Sequence, residues 1–204
     1  YTAAPKSSAR RSAQTALYRI ADALARLVAP ILVFTADEIW ENLPRASNDK
    51  RAASVHLAEF PPSTKAPDDL SFDLDGLQGR WLRLFLIRDV VLRALEESRV
   101  SKIIGGSLEA HVKLEAAGAA YELLERYRNE LRYIFIVSQV SLEKLDESKV
   151  LATEPVRVRV ERAEGEKCER CWSYSTRVGE SERYPTACER CVPVLAELER
   201  GEAA

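Results

Sequence analysis

Apolar residues recur at helical spacing near the start of the chain. They fall at Ala13, Leu17, Ile20, Leu24, Leu27 and Ile31. Steps that alternate between four and three residues place these side chains on one face of an α-helix. Ser7 and Ser8 are suitable caps for its start. We therefore predict a helix over residues 7–28 that buries this apolar face.

A second helix is expected after a break near Ala29. Pro30 lacks a backbone N–H and clashes with the preceding turn, so it fits only in the first turn of a helix. We predict that this helix runs from Pro30 to about Leu43. Its apolar face comprises Ile31, Phe34, Thr35, Ile39 and Leu43. Because two such helices need partner helices, residues 1–62 should be part of a helical, bundle-like domain, with some partners upstream of Tyr1.

The pattern changes to a mixture of helices and strands in the middle of the chain. Prolines between residues 44 and 79 predict irregular structure, with Val55 and Leu57 in a short extended piece. Beyond it, alternation of apolar and polar residues predicts strands, and apolar residues three or four positions apart predict helices. The predicted elements are a helix over 79–99, a strand over 107–114, a helix over 119–132, a strand over 133–142 and a strand over 156–161. Residues 63–162 should form a linker and a small mixed α/β region, which makes the whole chain an α+β fold.

All four cysteines form two Cys-x-x-Cys pairs, Cys168 with Cys171 and Cys188 with Cys191. A gap of two residues lets the backbone curl so that both sulfurs of a pair point at one ion. Two pairs then complete a tetrahedral shell of thiolates around zinc. Because four ligands leave no position for water, we predict one structural zinc ion rather than a catalytic one.

Three other uses of the cysteines are less well supported by the sequence. Two disulfides would imply an oxidising compartment, and no secretory signal opens the chain. A redox-active Cys-x-x-Cys usually stands alone at the start of a helix, whereas this chain has two such pairs. An iron–sulfur cluster also takes four thiolates, and spacing alone does not distinguish it from zinc.

Residues 163–204 are predicted to fold around this metal as a C-terminal zinc ribbon or knuckle module. Segment 163–192 has few apolar residues, so metal binding should contribute most of its folding free energy, on the order of 10 kcal/mol. Each Cys-x-x-Cys pair has an arginine directly before its second cysteine, Arg170 in the first pair and Arg190 in the second. Trp172 follows the first pair. Such side chains can hold phosphates and stack on bases. Alternatively, Trp172 packs beneath the zinc and each arginine pairs with the glutamate before it.

The composition is that of a folded globular protein. The chain has 204 residues, of which 46% are hydrophobic and 30% charged, and its formal net charge is −2. Its apolar runs are too short to span a membrane, and it contains no methionine, so we expect a fragment of a longer protein. Basic residues are concentrated within 1–26 and 80–102, which favours contact with a polyanion. The alternative is that both stretches are solvated helix faces.

Several segments together resemble the bacterial-type isoleucyl-tRNA synthetases. ARRSAQTALY (9–18), LVAPIL (27–32) and TADEIW (35–40) are similar to their helical anticodon-binding domain, and parts of the last two are shared more loosely with the valyl and leucyl enzymes. GEKCERCW (165–172) and CERCV (188–192) are similar to their C-terminal zinc module. That module alone also resembles the zinc site of certain DNA glycosylases. The ordered matches extend over nearly the whole chain.

This resemblance implies a non-catalytic, tRNA-binding part of a class I aminoacyl-tRNA synthetase. The complete enzymes of the family ligate isoleucine to its tRNA with ATP, in a Rossmann-type domain whose two nucleotide-handling signatures do not occur in this sequence. ATP would therefore bind only in the missing N-terminal domain, and neither a catalytic nor an editing site is expected here. The resemblance also implies a cytoplasmic monomer without a membrane anchor.

The resemblance further implies that the helices grip the anticodon stem-loop, while the zinc module supports productive tRNA engagement. The candidates for RNA contact are Arg10, Arg11, Arg19, Lys102, Arg170, Trp172 and Arg190. A competing hypothesis is a non-catalytic zinc-ribbon module whose knuckles contact a protein or another nucleic acid. A third is a DNA-processing enzyme, for which no catalytic set is visible because His56 and His111 are isolated.

Overall fold

The structure of the chain, a computed structural model, describes residues 2–45, 50–62, 76–146 and 156–201. The chain folds into two compact units. The first consists mainly of Ala3–Leu70 and the second mainly of Ser71–Ala196. Helices and strands occur together, which confirms the predicted α+β class, and the described strands all lie in the second unit. In the described part of the chain, no helix combines the length and the apolar composition needed to cross a membrane.

Two helices form most of the first unit. Helix α1 spans Ser8–Val28, and the Ser7 hydroxyl caps it by accepting the Arg10 N–H at 3.3 Å. Helix α2 spans Val33–Asn42. The predicted helix over 7–28 and the predicted break after it are therefore confirmed.

Two local predictions for this unit are wrong. Pro30 does not begin α2, because the two N–H groups that follow it both donate to the Val28 carbonyl and close a turn first. Val55–Leu57 is a 3₁₀ turn rather than an extended piece. The Ser54 hydroxyl accepts the His56 N–H at 3.3 Å, and this local bond favours the turn.

The helices pack largely through small side chains, and of the predicted apolar faces only Leu43 lies in the buried core. Ala25 and Ala29 are buried together with Ala36, and the larger side chains of this core are Trp40, Leu43 and Val55. Trp40 Nε1 donates to the Ala52 carbonyl at 2.9 Å. The distance between packed helices depends on the side chains at the contact, and the spacing of large apolar residues does not reveal a contact made by alanines. The large residues of the predicted faces that remain exposed are Leu17, Ile20, Leu24, Leu27, Ile31, Phe34 and Ile39.

A three-stranded sheet forms the centre of the second unit. Its strands are β1 at Ala110–Ala116, β2 at Gln139–Lys144 and β3 at Val156–Arg162. Strand β1 lies in the middle, parallel to β2 and antiparallel to β3, with Val112 opposite Val160. Alternate side chains of β1 are buried, which confirms the half-buried strand predicted from its alternation, although it begins three residues later than expected.

Three helices pack against the buried side chains of this sheet. They are α3 at Leu77–Val100, α4 at Gly118–Arg126 and α5 at Leu131–Phe135. The predicted helix over 79–99 is confirmed by α3. The largest side chains of the shared core are fully buried and include Leu84, Leu95, Leu114, Leu124, Leu131 and Phe135.

The chain between β1 and β2 differs from the prediction. The helix expected over 119–132 is two helices, α4 and α5, separated by a turn at 127–130. The strand expected over 133–142 begins only at Gln139, because the residues up to Phe135 belong to α5. Leu131 and Phe135 are buried four residues apart, so their helical spacing outweighs the β propensity of their neighbours.

Candidate metal centre

A short hairpin positions the first cysteine pair. Strand β4 at Glu166–Lys167 pairs antiparallel with β5 at Tyr174–Ser175, and Cys168 and Cys171 lie between the two strands. The Cys168 N–H donates to the Ser173 carbonyl at 2.9 Å. The strands and this bond together hold both cysteines in one tight turn, which we call the first knuckle.

Gly165 allows the hairpin to close. Its φ is +86°, and a Cβ there would lie 2.3 Å from the carbonyl carbon and oxygen of Ser175. Glycine alone accepts both this conformation and this close approach at no steric cost. The residue before β4 is therefore fixed as glycine by the geometry of the first knuckle.

The start of helix α6, Val192–Glu199, positions the second cysteine pair. The Cys188 carbonyl accepts the N–H of Cys191 at 2.9 Å and that of Val192 at 3.1 Å, so this second knuckle leads directly into the helix. Its cysteines share a small core with Cys168 and Ala187. The side chains packed against this core are Cys171, Val178, Tyr184, Val192 and Leu195.

The four sulfurs converge on one point. All four Sγ atoms lie within 4.8 Å of one another, and the Sγ atoms of Cys171 and Cys188 are 3.7 Å apart. Thiolates about 2.3 Å from a tetrahedral zinc ion are separated by about 3.8 Å. All four cysteines are free, whereas the sulfurs of a disulfide would be about 2.05 Å apart. The cysteines are therefore positioned to bind one metal ion in a closed shell, as their spacing predicted.

The surroundings of the thiols shift their pKa values in both directions. Burial opposes ionisation of Cys168, but backbone N–H groups, among them those of Cys171 and Cys188, lower its pKa to about 7. Burial raises the pKa of Cys191 to about 11 and also raises the pKa of Cys188. Because thiolates are the metal ligands, binding of a divalent ion must displace protons from these groups.

Both knuckle arginines direct their guanidinium groups at sulfur. Arg170 Nη1 lies 3.6 Å from Cys191 Sγ, and Arg190 Nη2 lies 3.8 Å from Cys171 Sγ. Arg190 Nε is also 3.8 Å from a carboxylate oxygen of Glu189, the preceding glutamate. The contacts to sulfur were not predicted, because spacing alone does not show which way a long side chain folds.

Trp172 does not pack beneath the metal site. Its side chain is 60% exposed, and Lys167 Nζ lies 5.6 Å from the centroid of its ring. Its backbone is left-handed, with φ +64°, a conformation that is rare for a bulky residue. Its N–H donates to the Cys168 carbonyl at 2.8 Å. The first knuckle therefore holds the indole in contact with solvent.

The remaining candidates for RNA contact are distributed over both units. On α1, Arg11 and Arg19 are exposed and lie about 80° apart around the helix axis. Arg10 is half-buried and lies on about the opposite side of the helix from Arg19. Lys102 is exposed just beyond the end of α3, with φ +59°. The structure therefore brings Arg11 and Arg19 to one side of a helix and does not place Arg10 with them.

Two polar side chains attach the cysteine segment to the sheet of the second unit. The Ser138 hydroxyl accepts the Tyr174 N–H at 2.7 Å and donates to the Leu108 carbonyl at 2.5 Å. The Gln139 amide bonds both the N–H and the carbonyl of Glu164, at 3.0 and 2.9 Å. Sequence reasoning missed both residues, because a serine and a glutamine at the start of a strand match no motif.

Comparison with known proteins identifies two segments of the chain. A family model described as the anticodon-binding domain of tRNA ligase matches residues 1–114, which is more than half of the 204 residues. A second model, described as the zinc finger found in FPG and IleRS, matches residues 165–194 and so includes all four cysteines. The two matches occur in the order that the sequence resemblance implied.

Curated relatives are similar over nearly the whole chain. A protein of Syntrophotalea carbinolica named isoleucine–tRNA ligase is 49% identical over 200 residues, which cover 97% of this chain and 21% of the relative. Proteins of the same name from Symbiobacterium thermophilum and Gloeobacter violaceus are 44% and 46% identical, over 97% and 96% of this chain and 21% and 19% of their own length. The chain thus spans about a fifth of the length of these relatives.

Proposed function

Because this chain belongs to the anticodon-binding domain family of tRNA ligases, we propose that it is the tRNA-binding part of an isoleucine–tRNA ligase. The observation that carries the proposal is the succession of an anticodon-binding match and a zinc-finger match in a chain that aligns over 97% of its length with a relative of that name. The complete protein would ligate isoleucine to its tRNA with ATP. The residues described above would contribute RNA binding to this reaction.

Zinc would serve this function as a structural ion. Four thiolates close its coordination shell, so the bound ion offers no position to a substrate. It supplies folding free energy to a segment with few apolar side chains. Cys168 and Cys171 then hold the turn from which Trp172 projects, so the role of the metal is to fix the direction of an exposed side chain.

We expect Trp172, which is exposed, to contact an unpaired base. Stacking of a base on an aromatic side chain contributes about 1–3 kcal/mol, and the cation of Lys167 beside the ring is suited to a phosphate. On α1, Arg11 and Arg19 are suited to the backbone of a stem, because both are exposed on one side of the helix. The further RNA contacts expected from the sequence stay predictions and are Arg10, Lys102, Arg170 and Arg190.

Four finer points belong to the same proposal. The RNA is the isoleucine tRNA, the protein is a monomer, and it acts in the cytoplasm. The chain divides into a helical part over 1–62, a linker with a mixed α/β region over 63–162, and a zinc-binding module over 163–204. The names of the relatives support the choice of tRNA, and the zinc-finger match over residues 165–194 supports the last part of this division.

The proposal is tested by a fluorescence anisotropy titration of the zinc-loaded chain with isoleucine tRNA at two salt concentrations. We expect weak binding that decreases as salt rises, because contacts to phosphates release counterions. A titration without binding at low salt would contradict the proposal.

The role of Trp172 is tested in the same assay. Trp172→Ala should raise the Kd about 5- to 150-fold, which corresponds to the loss of one stacked base. The matched control is Trp81→Ala, since Trp81 is a partly exposed tryptophan of the same unit whose ring contacts Phe85. Equal effects of the two substitutions would argue against a specific contact by Trp172.

A further inference from the structure

The two arginines of the cysteine segment make reciprocal contacts across the metal site. Arg170 belongs to the first knuckle, and its Nη1 lies 3.6 Å from the sulfur of Cys191 in the second. The same nitrogen also donates to the Thr2 carbonyl at 2.7 Å. Arg190 belongs to the second knuckle, and its Nη2 lies 3.8 Å from the sulfur of Cys171 in the first. The repeated sequence Cys-Glu-Arg-Cys explains this symmetry, because it places an arginine directly before the second cysteine of each pair.

We propose that Arg170 and Arg190 are positioning residues of the metal centre, each donating a charge-assisted hydrogen bond to a thiolate of the opposite knuckle. The sulfurs of the structure stand for thiolates in the metal-bound protein. Zinc with four thiolates carries a net charge of about −2, which is unfavourable among ligands as buried as Cys168, Cys188 and Cys191. Two guanidinium groups neutralise this charge, and their N–H donors make the thiolates less available to protons and electrophiles.

Glu189 lies beside the Arg190 guanidinium at ion-pair distance, without a hydrogen bond to its Nε. One carboxylate oxygen of Glu189 lies 3.8 Å from Arg190 Nε, and the other accepts the Ser175 hydroxyl at 2.7 Å. Ser175 is itself buried in strand β5. Polar contacts therefore lead from the hairpin of the first knuckle through Glu189 and Arg190 to the sulfur of Cys171. Outer partners of this kind orient the groups around a metal.

Other arginines of the segment have different partners. Arg177 Nε donates to Glu180 Oε2 at 2.8 Å, and the guanidinium carbon of Arg183 lies 5.6 Å from the centroid of the Tyr184 ring. They carry the same charge as the knuckle arginines and lie in the same segment. What distinguishes the knuckle arginines is their contact with sulfur, so Arg177 provides a matched control for the loss of one positive charge.

The first test measures zinc affinity of the full chain without RNA. Competition with a chromophoric chelator is compared for the unmodified chain, Arg170→Gln, Arg190→Gln and the control Arg177→Gln. Loss of an outer-shell partner typically weakens metal binding about 10- to 100-fold, and we expect a decrease of this size in each knuckle variant. Affinities equal to that of the control would overturn the proposal.

The second test uses the crossed arrangement of the contacts. Zinc-loaded variants are treated with limiting iodoacetamide, and the labelled cysteines are mapped by mass spectrometry. Relative to the unmodified chain, Arg170→Gln should increase the labelling rate of Cys191 most, and Arg190→Gln should increase that of Cys171 most. If either glutamine variant does not fold, Arg170→Lys or Arg190→Lys should show the same crossed order in weaker form. Uniform labelling of all four cysteines would indicate general loosening and would overturn the proposal.

These tests do not depend on the proposed function, since metal affinity and thiolate reactivity are measured without tRNA. The variants Arg170→Gln and Arg190→Gln could have the same zinc affinity as the Arg177→Gln control and yet bind tRNA poorly. The proposal for the arginines would then be wrong, while the proposed tRNA-binding function would stand.

Discussion

Removal of zinc is expected to unfold the cysteine segment while the sheet of the second unit stays folded. The hydrophobic cluster at the centre of this segment has four buried members, Ala187 and three cysteines, so three of the four are metal ligands. The sheet and its helices instead share a separate apolar core that contains Leu84, Val112 and Phe135. A chelator removes the ion that holds the cysteine cluster together, whereas the apolar core of the sheet does not depend on the metal.

The size of the effect follows from the interactions that remain. Metal binding contributes on the order of 10 kcal/mol to small zinc modules. The side chains of Ser138 and Gln139 still attach the segment to the sheet, but a hydrogen bond contributes only about 0.5–1.5 kcal/mol net. These few bonds cannot replace the ion, because ordering each residue costs about 1–2 kcal/mol of backbone entropy.

Hydrogen exchange with mass spectrometry can test this expectation on the full chain. Peptides from residues 165–194 should lose protection when a chelator removes the metal, and peptides covering β1 at Ala110–Ala116 should keep it. Addition of zinc should restore protection of the first set. The reasoning would be refuted if elemental analysis shows a metal-free chain whose residues 165–194 remain protected.

Two further outcomes are expected. Gly165→Ala should lower zinc affinity in a chelator competition by more than about 10-fold, since a left-handed φ strains alanine by about 1–3 kcal/mol and its Cβ would meet the backbone of β5 at 2.3 Å. Gly106→Ala, where a Cβ meets nothing within 4 Å, should leave the affinity unchanged. In the first unit, Asp37 accepts the Ser54 hydroxyl at 2.7 Å and the Val55 N–H at 3.0 Å, and these bonds lower its pKa. The stabilisation by this carboxylate is therefore present above about pH 4 and is lost as the pH falls through the lowered pKa. In thermal melts, the Asp37→Asn variant should have a lower Tm than the unmodified chain at pH 7, and its Tm should fall less on acidification. Identical dependence of Tm on pH in the two proteins would contradict this.

The elements predicted correctly from sequence are those in which one local pattern decides the outcome. Strand β1 alternates strictly between buried and partly exposed side chains, so its period of two is visible without knowledge of its partners. The cysteine pairs are equally local, because a gap of two residues directs both sulfurs of a pair to one ion whatever surrounds them. Helix α1 is also correct, since its cap at Ser7 and its end before Pro30 are local signals.

The predictions that are wrong required knowledge of packing. The large apolar residues of α1, such as Leu17 and Leu24, were expected inside, yet the helix packs through Ala25 and Ala29. Likewise the β-branched residues after Tyr133 suggested a strand, but Leu131 and Phe135 anchor a helix in the core. Tertiary contacts outweigh local propensity at both places. The arginine contacts to sulfur were invisible for the same reason, because they join residues of two different knuckles.

The first knuckle links the metal to the proposed RNA contact by one short run of chain. Cys168 and Cys171 contribute sulfurs to the four-cysteine cluster, Arg170 contacts a sulfur of the opposite knuckle, and Trp172 is exposed in a left-handed conformation. That conformation costs on the order of 1–3 kcal/mol for a residue other than glycine, so it persists only where the surroundings enforce it. Here the Trp172 N–H closes the turn on the Cys168 carbonyl, and Cys168 is one of the four cysteines positioned to bind the metal. We therefore expect the left-handed backbone of Trp172, and with it the direction of the exposed indole, to depend on metal binding by the cysteines.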